Sequence, residues 1–461
     1  MTPRYATNQD KRVRVFRRMV WRFPVRKRLH TALRVWRDEG SKDFFRLVLF
    51  KLGLTHSFIA AHQGTNEFRP GVHEGASARQ IANGRFGACT SLRVFSVPKA
   101  QPQRISIVTD SINSGSLYGG VGTAMILAAL LVEARQSRLR IVTRTERAQP
   151  GNLAHVLGLY GIDVAHEVEF VFAPVYDSDY EIDVFADELF LTTSWWTTAA
   201  TMASVPNDSI IYLLQEDERT FYPFDDDRLR CEEVLRSRDV RFVLNTRLLF
   251  DHLVADGLSN LAEKGVWFEP AFPREVFHPR SRPASGKRRA IFYARPNNLR
   301  NLFYFGIELL EDAIMRGIID LEEWDVLLVG KDIPKLVFST GYAPERYENL
   351  TWADYAELAG TVDLGLCLMY SPHPSYPPLD LAASGAVVVT NRWGEKRDLS
   401  GYSRNILCGD LDRESMLSTL ADGVRLAVNE AERAENYRAS SLASSWREAL
   451  GQIVAQIVDD H

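Results

Sequence analysis

Apolar runs of strand length alternate with apolar stretches of helical length from Arg104 onward. RISIVTDSI predicts a buried strand, NSGSLYGGVG a Gly/Ser loop, TAMILAALLVEAR a buried helix, and LRIVTRT a second strand. Strands that alternate with helices indicate a doubly wound parallel sheet. The sequence therefore predicts one Rossmann-like α/β domain that ends near Trp267, with further strands at Glu169–Phe172, Leu189–Thr192, Ile210–Leu214 and Val240–Leu244.

A segment rich in Pro, Ser and charge, residues 270–289, separates this run from a second α/β run. The second run contains AIFYARP, a helix at Leu302–Arg316, WDVLLVG, a helix at Trp352–Gly360 and the apolar VDLGLCLMY. We therefore expect α/β architecture with two Rossmann-like parallel-sheet domains facing a cleft, and a basic helical N-terminal extension. The expected boundaries are 1–100 for the extension and linker, 101–270 and 271–435 for the two domains, and 436–461 for a C-terminal crossover helix. The amphipathic pattern of that helix covers residues 436–458.

Composition fits a soluble protein of two or three domains. The chain has 461 residues, of which 46% are hydrophobic and 25% are charged. Its four cysteines are far apart and show no zinc or redox spacing, which indicates a reducing, cytoplasmic setting. We predict no signal peptide, and the longest apolar stretch, Ala124–Val132, is shorter than the ~20 residues that a membrane span needs.

The charge is distributed unevenly along the chain. Residues 1–37 carry twelve Lys and Arg against one acid, Asp10, whereas the remainder is net acidic. Apolar and aromatic residues recur within this basic arm at helical spacing, which favours an interfacial helix on an anionic membrane surface. A solvated tail and a helical arm packed on the acidic body remain alternatives. The acidic body disfavours nucleic acid as a partner.

A Pro-rich loop at Ser371–Ser375 carries the most specific pattern. It follows an apolar strand and leads into a short predicted helix, Leu379–Ser384, then Gly385 and a β-branched strand. Such a loop lies at the carboxyl end of its strand, where open α/β sheets bind ligands. The segment resembles the nucleotide-sugar loop of retaining GT-B glycosyltransferases of family 4, with Asp380 in place of the second acid of their paired-acid pattern. Pro372 stands where the first acid is expected.

The motif HPSYPPLD-x-AASG is more similar to that of a subgroup, the WsaF-type bacterial rhamnosyltransferases. This resemblance, over roughly residues 103–455, implies the GT-B fold and transfer of L-rhamnose from dTDP-β-L-rhamnose or a similar donor to a growing surface polysaccharide. It implies a nucleotide sugar and a glycan or lipid-linked glycan as partners, at the inner face of the cell membrane. A nucleotide-sugar 2-epimerase and a non-catalytic glycan- or nucleotide-binding module remain alternatives.

Two arginines are candidates for stabilising the leaving diphosphate. Arg295 and Arg300 lie between a strand end and a helix start in FYARPNNLRN. Guanidinium groups bind phosphate bidentately, and a helix N-terminus adds a favourable dipole. The resemblance matches them to an Arg and a Lys of the wider family, so Arg300 keeps the charge but changes the geometry.

Donor and acceptor contacts are expected from four other segments. On the donor side, we expect contacts from two segments. The Gly-rich turn supplies Gly119 and Gly120, and the Pro-rich loop with its helix supplies Ser375, Tyr376 and Asp380, for the nucleoside, the phosphate or the base. His373 is expected to be passive. On the acceptor side, QEDE and SWW suit hydrogen bonding to sugar hydroxyls and stacking on a sugar face, through Gln215, Glu218, Trp195 and Trp196, with Glu216 as a catalytic candidate. No metal site and no cofactor other than the donor are expected.

Overall fold

The computed structural model describes residues 77–98, 103–113, 120–164, 167–175, 179–281 and 286–460. The expected basic arm, residues 1–37, and residues 64–76 of the glycine-rich linker lie outside the described residues. One compact unit comprises Ser77–His461. Within the described part of the chain, no helix is both long enough and apolar enough to cross a membrane.

The first sheet has seven parallel strands in the order β4-β3-β2-β6-β7-β8-β9. Its central strands are buried along almost their whole length, as expected when helices cover both faces. A separate parallel pair joins β1 to β5. The strands are β1 (Val94–Val97), β2 (Arg104–Thr109), β3 (Arg138–Thr143), β4 (Glu169–Phe172), β5 (Ile182–Phe185), β6 (Leu189–Thr192), β7 (Ile210–Leu214), β8 (Arg241–Asn245) and β9 (Val266–Phe268).

Helices follow most of these strands, and the most extensively buried is α2, which is enclosed from Gly122 to Val132. A helix that is apolar on every side must be enclosed, and α2 lies within the largest core cluster of this domain. The helices are α1 (Ala78–Arg85), α2 (Gly122–Arg135), α3 (Pro150–Leu159), α4 (Trp195–Met202), α5 (Asp226–Leu235), α6 (Arg247–Ala255) and α7 (Ser259–Lys264).

The second sheet has six parallel strands in the order β12-β11-β10-β13-β14-β15. The prediction of two Rossmann-like parallel sheets is therefore confirmed. The pattern did not reveal the edge strand β12, because its sequence, ERYE, has no apolar run. The strands are β10 (Arg288–Ala294), β11 (Trp324–Gly330), β12 (Glu345–Glu348), β13 (Leu364–Leu366), β14 (Val387–Asn391) and β15 (Ile406–Gly409), and the helices are α8 (Phe303–Met315), α9 (Trp352–Ala359), α10 (Tyr376–Ala383), α11 (Arg413–Val428), α12 (Glu430–Arg438) and α13 (Trp446–Asp459).

The tail is two helices rather than the single helix predicted over 436–458. Serines between them favour caps and turns over helix continuation, and the Ser445 side chain caps α13 by accepting a hydrogen bond from the Glu448 N–H. Helix α13 returns to the first domain. Its buried residues, Trp446 and Leu450 among them, belong to the same core cluster as α2, and Arg447 pairs with Glu133 at 2.8 Å.

The order of the strands determines where a ligand site forms. In the first sheet the order reverses between β2 and β6, and in the second between β10 and β13. Crevices outside the carboxyl ends of the strands at such reversals are the usual ligand sites of open α/β sheets. The loops that follow β7 in the first sheet and β10, β13 and β14 in the second contact one another at the carboxyl ends of these strands.

Candidate active site

The two domains meet through Glu216, which lies just after β7. Its Oε2 is 3.0 Å from Nη1 of Arg300 in the second domain, and its Oε1 accepts a hydrogen bond from the Ser371 hydroxyl. The Asp217 N–H donates to the same Oε1 at 3.0 Å. Burial raises the pKa of Glu216, and the charge of Arg300 opposes that rise. The catalytic candidate from the first domain is thus enclosed by the predicted phosphate loop and the Pro-rich loop of the second.

Arg300 lies in a 3-10 turn, Leu299–Asn301, between β10 and α8. Its guanidinium carbon is 4.2 Å from the ring centre of Phe221, which belongs to the first domain. Burial lowers the pKa of Arg300, while Glu216 raises it and the charge of Arg295 lowers it further. Arg295 follows β10 directly and is half-buried, with Nη1 3.5 Å from the Tyr293 hydroxyl. The structure therefore brings the two predicted arginines and Glu216 into one electrostatic cluster.

Side chains and backbone of the Pro-rich loop hydrogen-bond to one another. The His373 N–H donates to the Ser371 hydroxyl at 3.0 Å, and the Ser375 N–H donates to Nδ1 of His373 at 2.9 Å. Because Nδ1 accepts, the proton of the neutral ring is on Nε2, and this buried atom has no hydrogen-bond partner among the described residues. Burial, with the charges of Lys396 and Arg300, lowers the pKa of His373 to about 3, so the ring is neutral at pH 7.

Ser375 has φ of +71°, a conformation that L residues rarely adopt, immediately before α10. Strain of this kind costs on the order of 1–3 kcal/mol and is typical of ligand loops. Its backbone N–H, however, is already used by His373. A phosphate that bound this N–H, as predicted, would therefore have to replace the histidine nitrogen as the acceptor.

Tyr376 joins the two domains. Its hydroxyl is 2.7 Å from the Thr123 hydroxyl and accepts a hydrogen bond from the Asn245 amide at 3.0 Å. Thr123 is on α2 and Asn245 ends β8, so both partners belong to the first domain. Tyr376 was expected to contact the donor, and in this structure its hydroxyl makes interdomain contacts instead.

Asp380 does not open its helix as expected, because α10 begins at Tyr376 and places Asp380 in its second turn. The residue is 3% exposed, and Oδ1 has no hydrogen-bond partner within the described part of the chain. Burial therefore raises its pKa well above the usual range. The neighbouring Tyr355 hydroxyl opposes this rise in the pKa of Asp380.

The glycine-rich turn and the loop after β7 are in direct contact. The Gln215 amide donates to the Gly120 carbonyl at 2.6 Å, and a Cβ at Gly120 would lie 3.3 Å from that amide. The close approach explains a residue without a side chain at this position. Gly119, the other predicted glycine, lies outside the described residues.

Two predictions of acceptor contacts need correction. Trp195 is 2% exposed and its indole N–H donates to the Tyr222 hydroxyl at 3.0 Å, so the ring is core and has no free face for a sugar. Glu218 is 5% exposed, and its carboxyl accepts a hydrogen bond from the Trp195 backbone N–H at 2.8 Å, which fixes the start of α4. Trp196 is half-buried, with its N–H donating to Asp110 at 2.9 Å.

Lys396 and Asn391 were not predicted as site residues. Lys396 is 0% exposed and donates to the Met369 carbonyl at 3.0 Å; burial lowers its pKa to about 8, and the charge of Glu216 opposes the shift. The Asn391 side chain also binds Met369: it accepts a hydrogen bond from the Met369 N–H and donates one to the Met369 carbonyl. A lysine in NRWGEKRDL gives no sequence signal of burial, since such loop cations are usually solvated. Among the described residues, no group of His, Cys, Asp or Glu could hold a metal ion.

Two family models match the chain, the WsaF N-terminal domain over residues 104–247 and the WsaF C-terminal domain over residues 288–421. The chain is 31% identical over 292 residues to the O-antigen biosynthesis protein RfbC of Myxococcus xanthus. That match covers 59% of this chain but spans only 21% of the relative.

Solved glycosyltransferase structures share the fold. The Anabaena Alr3699/HepE structure in complex with UDP and glucose has a TM-score of 0.55 at 13% identity, and the match covers 78% of this chain and all of that one. WaaG, a glycosyltransferase involved in lipopolysaccharide biosynthesis, has a TM-score of 0.50 at 13% identity, covering 73% of this chain and 94% of that one. The GT-B architecture expected from the sequence is confirmed.

Proposed function

Because the chain belongs to the WsaF family of GT-B glycosyltransferases, we propose that it transfers L-rhamnose from dTDP-β-L-rhamnose to a growing bacterial surface polysaccharide. Retention of configuration is part of this proposal and rests on the family resemblance. The similarity to an O-antigen biosynthesis protein supports a surface polysaccharide as the product. The sequence of the Pro-rich loop supports dTDP-β-L-rhamnose as the donor.

One observation carries the chemistry: Arg300 and Arg295 form a cationic group at the carboxyl edge of the second sheet, facing Glu216 of the first domain. Glycosyl transfer separates a diphosphate, and fixed cations are most effective where that negative charge develops. The solved structures of HepE in complex with UDP and glucose and with UDP-glucose support a nucleotide sugar as the ligand of this edge.

In this proposal the two domains have separate tasks. The second domain binds the donor through the loops after β10 and β13, while the first presents the acceptor beside Gln215 and Glu216. Closure of the domains through Tyr376 and Glu216 excludes water, which strengthens the electrostatic interactions at the leaving group. The protein works at the cytoplasmic face of the membrane, on a glycan or lipid-linked glycan.

The experiment has two stages. Thermal melting with dTDP, UDP, GDP and ADP, each with and without divalent metal, tests the donor nucleotide; dTDP at 100 times its Kd stabilises the fold by about 2.7 kcal/mol. A shift with GDP or ADP alone contradicts the thymidine donor, and a strict requirement for metal contradicts the metal-independent mechanism. Incubation with dTDP-β-L-rhamnose then distinguishes a transferase, whose product is an elongated glycan, from a 2-epimerase, whose product is the sugar with inverted configuration at C2 and which needs no acceptor.

A further inference from the structure

Lys396 is buried at the carboxyl end of β14 without a structural requirement for its charge. A tight turn holds it, in which Trp393 and Lys396 exchange two backbone hydrogen bonds of 3.0 Å around Gly394. Its ammonium donates to the Met369 carbonyl, yet Asn391 donates to the same carbonyl at 3.0 Å. That carbonyl would therefore stay satisfied if Lys396 were an apolar side chain. Burial of an ammonium is costly, and the fold gains little from it here.

Lys396 shares a neutral histidine neighbour, His373, with Arg300. The charges of Lys396 and Arg300 both act on His373, whose neutral ring presents an unpartnered Nε2–H among the described groups, and Arg295 acts on Arg300. Cys408 from β15 and Glu216 from the first domain are the groups that favour the charged form of Lys396. Glu216, which pairs with Arg300 and also favours the charged form of Lys396, thus lies beside two cations, and Glu218 acts on Arg300 as well. Perturbed groups gathered in a cleft in this way indicate a functional site.

The loop geometry links Lys396 to the arginines. Met369, which accepts from Lys396, is followed by Tyr370, whose N–H donates to the Arg300 carbonyl at 2.7 Å. The next residue, Ser371, donates to Glu216, the ion-pair partner of Arg300. Three consecutive residues of one loop therefore contact the Lys396 ammonium, the Arg300 backbone and the Glu216 carboxylate.

We propose that Lys396 is a third cationic residue for the donor diphosphate, and that Glu216 fills this anion position when no donor is bound. The inference rests on the proposed function for the presence of a nucleoside diphosphate, and it adds a residue to the site. A diphosphate brings more negative charge than one carboxylate. It would pair with Arg300 and Lys396 together, and Glu216 would be released toward the acceptor side of the cleft.

The test is calorimetric titration of the full-length protein with dTDP, inorganic pyrophosphate and thymidine. Lys396→Met should weaken dTDP and pyrophosphate binding by roughly tenfold to hundredfold, because a hydrogen bond to a charged group is lost, and should leave thymidine binding unchanged. Lys335→Met, at an exposed lysine of the same domain, is the matched control and should change neither. The melting temperature of Lys396→Met should equal or exceed that of the natural protein.

The pH dependence provides an independent readout. In the free protein Lys396 loses its proton above about pH 8, so dTDP affinity should fall above that pH, by at most about tenfold per unit. Glu218 also titrates near pH 8, and Glu216 and Cys408 face the lysine, so the difference between natural protein and Lys396→Met isolates the lysine. The Lys396→Arg variant should keep its dTDP affinity above pH 8, because a guanidinium stays protonated there.

The outcomes separate the two proposals. If the natural protein binds none of dTDP, UDP, GDP and ADP, the proposed function fails together with this inference. If it binds dTDP and Lys396→Met binds equally well, only this inference fails. A lower melting temperature for Lys396→Met with normal dTDP affinity would assign the lysine a structural role.

Discussion

Arg300 Nη1 and Glu216 Oε2 are 3.0 Å apart, although the two residues belong to different sheets and are 84 positions apart in the chain. Both side chains are largely buried, at 19% and 11% exposure. The attraction therefore acts in a medium of low polarity, where a lone charge is far more costly than a pair. The pair links the two domains and offsets part of the positive charge at the carboxyl edge of the second sheet.

A double-mutant cycle should detect this coupling. Arg300→Met or Glu216→Gln alone should lower the free energy of unfolding, by up to about 3–5 kcal/mol for the change that leaves a buried charge unpaired. The double variant should recover much of that loss, since neither charge remains. Chemical denaturation of the four proteins measures the cycle; strictly additive losses would show that the two side chains do not interact.

Arg295 should matter for turnover rather than for stability. It is half-buried and close to Arg300, so Arg295→Ala should leave the melting temperature nearly unchanged while lowering kcat and kcat/KM together by about 10² to 10³. Arg295→Lys should restore part of the rate, because a point charge lacks the bidentate geometry. Steady-state kinetics with dTDP-β-L-rhamnose provides the measurement. Normal turnover by folded Arg295→Ala would remove it from the leaving-group site.

Tyr376→Phe should weaken domain closure. The change removes the hydrogen bonds with Thr123 and Asn245, at about 1 kcal/mol each. We expect a more open average shape by small-angle scattering and a higher donor KM. Tyr304→Phe, at a tyrosine that is 66% exposed, is the control and should behave like the natural protein. Unchanged scattering and KM for Tyr376→Phe would show that the bridge does not limit opening.

Glu218 should make stability depend on pH near neutrality. Burial raises its pKa from 4.5 to about 8, so the folded state holds a proton that the unfolded state releases. This contribution is fully present below pH 4.5 and is lost as the pH rises to about 8. Glu218→Gln mimics the protonated acid and should flatten the decline in melting temperature between about pH 5 and pH 8.

Asp217 provides the opposite case and serves as a control for that titration. Against the effect of burial, His252 and Arg219 hold its pKa at about 2, so its contribution is present above pH 3.8 and is lost as the pH falls toward 2. Asp217→Asn should therefore destabilise the protein at neutral pH, whereas Glu218→Gln should not. Equal slopes for the natural protein and Glu218→Gln would mean that Glu218 is ionised in the fold.

The basic arm is tested by truncation. Deletion of residues 1–37 should preserve transfer to a short acceptor but abolish sedimentation with vesicles that contain anionic lipid. Each Lys or Arg near such a surface contributes about 1 kcal/mol, and added salt should weaken the attraction. If full-length protein does not bind anionic vesicles at low salt, the membrane hypothesis is wrong. The remaining alternatives for residues 1–37 are then a solvated tail and an arm packed on the acidic body.

The sequence by itself determined the two sheets, because buried parallel strands require continuous apolar runs such as RISIVT and WDVLLVG. It also indicated the loops at the carboxyl ends of strands, since an apolar run and the residues that follow it are local signals. Only the tertiary structure decided which side chains meet there. The pairing of Glu216 with Arg300, the enclosure of Trp195 and the burial of Lys396 depend on contacts between distant segments, and no local pattern encodes whether a loop cation or an indole is exposed.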